Sequence, residues 1–320
     1  MQSATPESGG RDRIDTLQAG RGLASFAVVL HHANLASKDF GNSHVPLFEY
    51  GWLGVDFFFV LSGFIIAYSV GNKGAKTYAW HRFRRVLIPY WPIGIALGLL
   101  YMILPSASAG DREWTWLASL TLLPIGSPAL SVAWTLQHEL IFYAIFGIAW
   151  FTRQYWVFFV WAGLCLLGSE ATPLKAINLE FLMGILAFLV VRSGKTSPLF
   201  LLPAAIALAA WIYLGASREQ SVLLGVAIGL ALPGLIALEQ RGMSIPTSLV
   251  SLGEASYSLY LAHGIAISIV ARLYPSLPIL VIAGVAGGLA YYFAVERPLL
   301  SIIPRNPPKL LFRRARRQSS

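Results

Sequence analysis

Ionisable side chains stand where the surrounding sequence is apolar: His31, His32, Asp56, His138, Glu139 and His263 all lie inside or at the edge of long hydrophobic runs. Titratable groups are costly in hydrocarbon, and those that persist there usually act on a substrate or a proton. A carboxylate beside a histidine fixes the imidazole tautomer and raises its basicity, which suits a base acting on a hydroxyl. His32 is the candidate base, with Asp56 or Glu139 as its orienting carboxylate. A lone histidine at a helix end is more often an interface residue. It is the company of two carboxylates that favours chemistry here.

Helical phase adds direction. Arg21 and His32 are eleven residues apart, and eleven steps of about 100° bring them to the same face, about 16 Å apart along the axis. His31 is turned away by about 100°. Asp56 lies about 7–8 Å below the start of its own run, at a depth similar to that of His32. Glu139 lies about two turns into another. Groups from three helices could thus share one outer cavity. At the opposite end, His81-Arg82-Phe83-Arg84-Arg85 closes a loop against the third run. It reads either as loop charge or as a guanidinium clamp for the phosphates of coenzyme A. Ser256, Tyr260 and His263 occupy one helix face, and they either line a path to the midplane or hydrogen-bond between helices.

The elements that must position these groups are transmembrane helices. The 320 residues are 56% hydrophobic and only 12% charged, against about a quarter charged in soluble domains. Apolar runs predict helices over 21–37, 51–70, 86–104, 132–151, 154–168, 177–191, 198–215, 221–238, 255–273 and 277–295. The fold class expected is an all-α, polytopic membrane helix bundle of about ten transmembrane helices. The first run follows an Arg-bearing leader as a signal peptide would, but Ala33-Asn34-Leu35-Ala36 is a poor cleavage site, so it reads as a retained span.

Orientation follows from the basic residues. With the N-terminus inside, the inward segments collect nineteen of the 24 Lys and Arg, so both termini are expected in the cytoplasm. The net charge of +9 then needs no nucleic acid, and Arg313 to Arg317 suit anionic lipid. The organisation expected is a cytoplasmic leader over 1–20, one transmembrane domain over 21–298 and a basic tail over 299–320. The stretch 105–130 faces outward, with Trp114-Thr115-Trp116 suited to the membrane interface. The single cysteine, Cys165, forms no intrachain disulfide, and no metal-ligand spacing is present.

Taken in order, these segments resemble the membrane acyltransferase-3 family over nearly the whole chain. The segments are Arg21-Gly22-Leu23-Ala24 leading to His32, then Gly54-Val55-Asp56-Phe57-Phe58-Phe59-Val60-Leu61-Ser62-Gly63-Phe64, then Arg82 to Arg85 followed by Pro89-Tyr90-Trp91. Ser131-x-x-Trp134-Thr135-Leu136-x-x-Glu139, Ser256 to His263 and Glu296-Arg297-Pro298 complete the set. His138 departs from the pattern. The start and the compact chain look most like the exopolysaccharide-modifying branch; some relatives carry a fused SGNH esterase-like domain, which this chain is expected to lack.

The resemblance implies an integral membrane O-acyltransferase, in a bacterial cell inner membrane. It would move an acyl group, acetyl by expectation, from cytoplasmic acyl-CoA to a hydroxyl of an extracytoplasmic or lipid-linked saccharide. The partners implied are acyl-CoA, a glycan acceptor and membrane lipids, with no permanently bound cofactor. His32, Asp56 and Glu139 would be catalytic. Arg21, Arg82, Arg85, Ser131, Trp134, Tyr260 and His263 would bind substrate. Direct transfer and an acyl-histidine intermediate both remain open. The rival reading is a transporter or flippase of a polar lipid or sugar, in which the same buried groups line a permeation path.

Overall fold

The computed structural model describes residues 14–41, 43–108, 113–168, 173–217 and 220–308. Most of the leader and most of the basic tail, including Arg313 to Arg317, lie outside the described residues, as do Arg112 and Arg218. Among the described residues every regular element is helical. Hydrocarbon explains this, because a chain crossing it must satisfy each N–H and C=O within its own segment.

The chain runs α1 (Asp15–Gly41), a short α2 (Pro46–Glu49), α3 (Leu53–Val70), α4 (Ala75–Ile103), α5 (Trp116–Thr121), α6 (Trp134–Thr152) and α7 (Trp156–Leu167). It continues through α8 (Leu179–Arg192), α9 (Leu201–Tyr213), α10 (Ser221–Gln240), α11 (Thr247–Glu254), α12 (Ser256–Ala271), α13 (Leu277–Tyr291) and α14 (Arg297–Ile302). Each helix expected from an apolar run has a counterpart. Among the described residues, five helical segments are long and apolar enough to cross a membrane: Pro46–Val70, Ala75–Ile103, Ser131–Thr152, Ser221–Gln240 and Leu277–Ile302. Trp156–Leu167, Pro198–Tyr213 and Ser256–Ala271 are apolar but shorter.

Two boundaries differ from expectation in ways that matter. α4 begins at Ala75, not near residue 86, so His81 to Arg85 belong to a helix and not to a loop. Apolarity marks where a helix enters hydrocarbon, not where it starts. Arg82 and Arg85, three residues apart, therefore share a helix face. α11 has no apolar run to announce it, and it packs directly against α1.

Close approaches set the packing. α3 and α8 meet through Gly63 and Gly184: a Cβ on Gly63 would stand 1.9 Å from the Phe181 carbonyl oxygen, and one on Gly184 would stand 1.8 Å from that of Val60. Small residues admit such contact between membrane helices. Phe181 then stacks on Phe59 of α3 at 4.6 Å and on Phe142 of α6 at 4.3 Å, tying three helices into one core. α1 is anchored at its start by Glu239, whose carboxylate accepts from the backbone N–H groups of Asp15 at 2.8 Å and Thr16 at 2.9 Å. Those donors have no partner inside the helix, and a carboxylate there also suits the helix dipole.

Candidate functional site

A cleft opens among α1, α3, α4, α6 and α12. Arg21 from α1, Arg82 and Arg85 from α4, and Glu139 from α6 line it. Three guanidiniums against one carboxylate give its lining an excess of positive charge.

Arg82, Arg85 and Glu139 are each held by neighbouring side chains. Arg82 donates to Ser69 Oγ at 3.1 Å and lies 5.4 Å from the centre of the Tyr143 ring. Arg85 Nη1 donates to Glu296 Oε1 at 2.9 Å, and its guanidinium lies 5.5 Å from the Tyr257 ring centre. Glu296 is buried in a π-turn (Tyr292–Glu296), and its second oxygen accepts from Ser258 Oγ at 2.5 Å. Such turns recur at functional sites because they re-aim one residue of a helix. Glu139 accepts from Ser62 Oγ at 2.7 Å and from the Tyr143 hydroxyl.

Arg84 lies between the two cleft arginines in sequence but donates to the backbone oxygens of Ile303 and Leu300. It caps the C-terminal end of α14, where cations are favoured. The upper wall of the cleft includes Thr135 and Tyr260, whose hydroxyls lie 2.7 Å apart, with Tyr260 also 2.9 Å from the Val132 oxygen.

A smaller pocket, about 260 Å³, is lined by Trp52, Asp56, Trp134 and Ser221, and Val55 lines both cavities. Asp56 is wholly buried and neighbours the equally buried Glu180 of α8. Ser131 opens the turn before α6 and is exposed.

His32 and His263 meet, with ring centres 4.9 Å apart. His31 lies edge-on to His32 at 5.2 Å. His138, without an expected role, is buried and bonds Asn178 Oδ1 at 2.8 Å, a structural tie between α6 and the turn before α8.

The residues proposed from sequence are thus distributed. Arg21, Arg82, Arg85, Glu139 and Tyr260 share the large cleft, Asp56 and Trp134 the small pocket, while His32 and His263 bond each other. Sequence reasoning overlooked Glu180, although a carboxylate in the apolar run over 177–191 is the same signal that marked Asp56. It quoted Glu296 without giving it a task. Tyr143 carried no signal, because aromatic residues are ordinary in such helices, and Tyr257 was quoted within the segment from Ser256 to His263 without a task of its own.

Helices long and apolar enough to span a bilayer, around an arginine-lined cleft with a half-buried carboxylate, define a membrane-embedded enzyme of acyl transfer once the relatives are considered. An acyltransferase-domain family matches residues 14–296, so the chain belongs to the membrane acyltransferase-3 family. It is 31% identical over 291 residues to the exopolysaccharide production protein ExoZ of Rhizobium meliloti (strain 1021), covering 79% of this chain and 90% of that one. It is 24% identical to the acyltransferase MdmB of Streptomyces mycarofaciens, covering 92% of this chain and 94% of that one. No solved structure matches the chain.

Proposed function

We propose that the protein transfers an acyl group, acetyl in the simplest case, from cytoplasmic acyl-CoA to a hydroxyl of an extracytoplasmic or lipid-linked saccharide. The observation that carries this reading is the cleft in which Arg21, Arg82 and Arg85 face Glu139. Arg82 and Arg85 receive the phosphates of coenzyme A, since guanidinium forks match phosphate oxygens. Likeness to an exopolysaccharide production protein favours a saccharide acceptor. Positive-inside charge supports an arginine end of the cleft that faces the cytoplasm, in a bacterial inner membrane crossed by α1, α7, α8, α9 and α12 as well as by the five longer segments.

In the transfer, His32 takes the proton of the acceptor hydroxyl as its oxygen attacks the thioester carbonyl. The carbon–sulfur bond then breaks, and the coenzyme A thiolate recovers the proton from the imidazolium. Asp56 and Glu139 complete the catalytic set. Trp134, Ser131 and Tyr260 belong to the path of the substrates. A thiolate leaves readily, so the step calls for no metal and no bound cofactor.

The test is transfer of label from [14C]acetyl-CoA into the glycan fraction of membranes holding the wild-type protein or Arg82→Ala/Arg85→Ala. Label carried by the wild type and lost in the double variant supports the reading. Wild-type membranes that transfer no more label than membranes lacking the protein would overturn it.

A further inference from the structure

His263 is the most deeply buried imidazole near the proposed base, and its hydrogen bonds dictate where its proton sits. Its Nδ1 lies 2.8 Å from the carbonyl oxygen of Leu259, one turn earlier in α12. A carbonyl only accepts, so Nδ1 carries the hydrogen and the Nε2 of the neutral ring is a lone pair. That Nε2 lies 3.2 Å from His32 Nδ1, which is itself 3.0 Å from the carbonyl oxygen of Val28. Both neighbours of His32 Nδ1 are acceptors. The hydrogen of His32 therefore sits on Nδ1, shared between them, and its basic lone pair is on Nε2.

We infer that His263 is a positioning residue for acyl transfer, whose Nε2 lone pair accepts the His32 Nδ1 hydrogen and so keeps Nε2 as the basic nitrogen of His32. This rests on the reading of His32 as the base. When His32 Nε2 takes the hydroxyl proton, the imidazolium charge is met at Nδ1 by His263 Nε2 and the Val28 oxygen. When the leaving thiolate recovers that proton, the pair returns to two neutral rings. The arrangement suits a dry site, because a neutral imidazole orients the base without adding a second buried charge.

The scaffold makes the contact rigid. Each ring is tied to the backbone one turn before it, and α1 packs directly on α12. His263 is wholly buried, so solvent does not compete for its lone pair. Tyr260, one turn earlier on α12, places its ring 6.1 Å from that of His263 and lines the large cleft. Tyr260 thus connects His263 to the cleft wall.

Two substitutions separate positioning from packing. His263→Leu fills the volume and offers no acceptor, whereas His263→Gln keeps an acceptor oxygen near the place of Nε2. In membranes given [14C]acetyl-CoA, Leu should lower kcat at least about 10-fold, short of the about 10²–10⁴-fold cost of losing the base itself. KM for acetyl-CoA should not change, and Gln should restore most of the turnover. Independently of turnover, 15N shifts of histidine-labelled purified protein should report His263 and His32 as Nδ1–H tautomers.

Full turnover in His263→Leu, equal losses in Leu and Gln, or a hydrogen on His263 Nε2 would each overturn the inference. If His263→Leu does not fold, the Gln variant and the wild-type tautomers decide. Wild-type membranes that transfer no label would instead defeat the proposed function.

Discussion

Arg85 Nη1 donates to Glu296 Oε1 at 2.9 Å, while Glu296 Oε2 accepts from Ser258 at 2.5 Å. One buried carboxylate therefore fixes α4 against α12 and the π-turn after α13. The guanidinium has five N–H donors, so the contact leaves several for a ligand in the cleft. Glu296→Gln keeps the shape and removes the charge that holds Arg85. Kd for acetyl-CoA should rise about 10-fold, equivalent to about 1.4 kcal/mol of binding. Calorimetric titration with acetyl-CoA checks this, and unchanged affinity would show that Arg85 needs no such partner.

The three neighbouring arginines should behave differently. Arg82→Ala and Arg85→Ala should weaken acetyl-CoA binding, with Lys restoring only part because it lacks the bidentate fork. Arg84→Ala should leave binding intact and lower the melting temperature in detergent, since Arg84 caps α14. Equal loss of binding at all three positions would point to general charge and not to a shaped site.

His32 and His31 provide a second contrast between neighbours. His32→Ala should reduce acyl transfer about 10²–10⁴-fold while the protein remains folded in the membrane. His31→Phe should be tolerated, and Asp56→Asn should fall between the two. Acceptor acetylation in cells at matched expression is the measurement. Full activity in His32→Ala would rule out this residue as the base.

Packing at the α3–α8 crossing should be intolerant. Gly184→Ala puts a methyl group where the Val60 carbonyl oxygen already stands, 1.8 Å from the ideal Cβ. The helices must separate, at a cost of about 1–3 kcal/mol or more. Thermal unfolding in detergent should show the loss, whereas Gly264→Ala, with nothing within 4 Å of its Cβ, should be near neutral.

Orientation is testable by reporter fusions. Those at Asp111 and Arg218 should read outside, and those at Lys73 and Ser320 inside, from the basic asymmetry of the chain. A C-terminus reported outside would reverse the assignment of the arginine end of the cleft to the cytoplasm.

The sequence by itself determined the ten apolar helices, though not α11, together with the family and the charged residues that line the cleft. Hydrocarbon makes those features local: a run of apolar residues must be helical, and a charged side chain within it stands out. Which polar groups meet was decided only by tertiary structure. Phase places His32 on a face of α1, but the partner there is His263 on α12, more than two hundred residues away. The same applies to Arg84, which differs from Arg82 and Arg85 only because α14 ends beside it. Glu180 beside Asp56 depends on α3 and α8 touching through Gly63 and Gly184. A helix's own sequence sets its direction and its faces. The neighbour on each face depends on close backbone contacts made by small residues far apart in the chain.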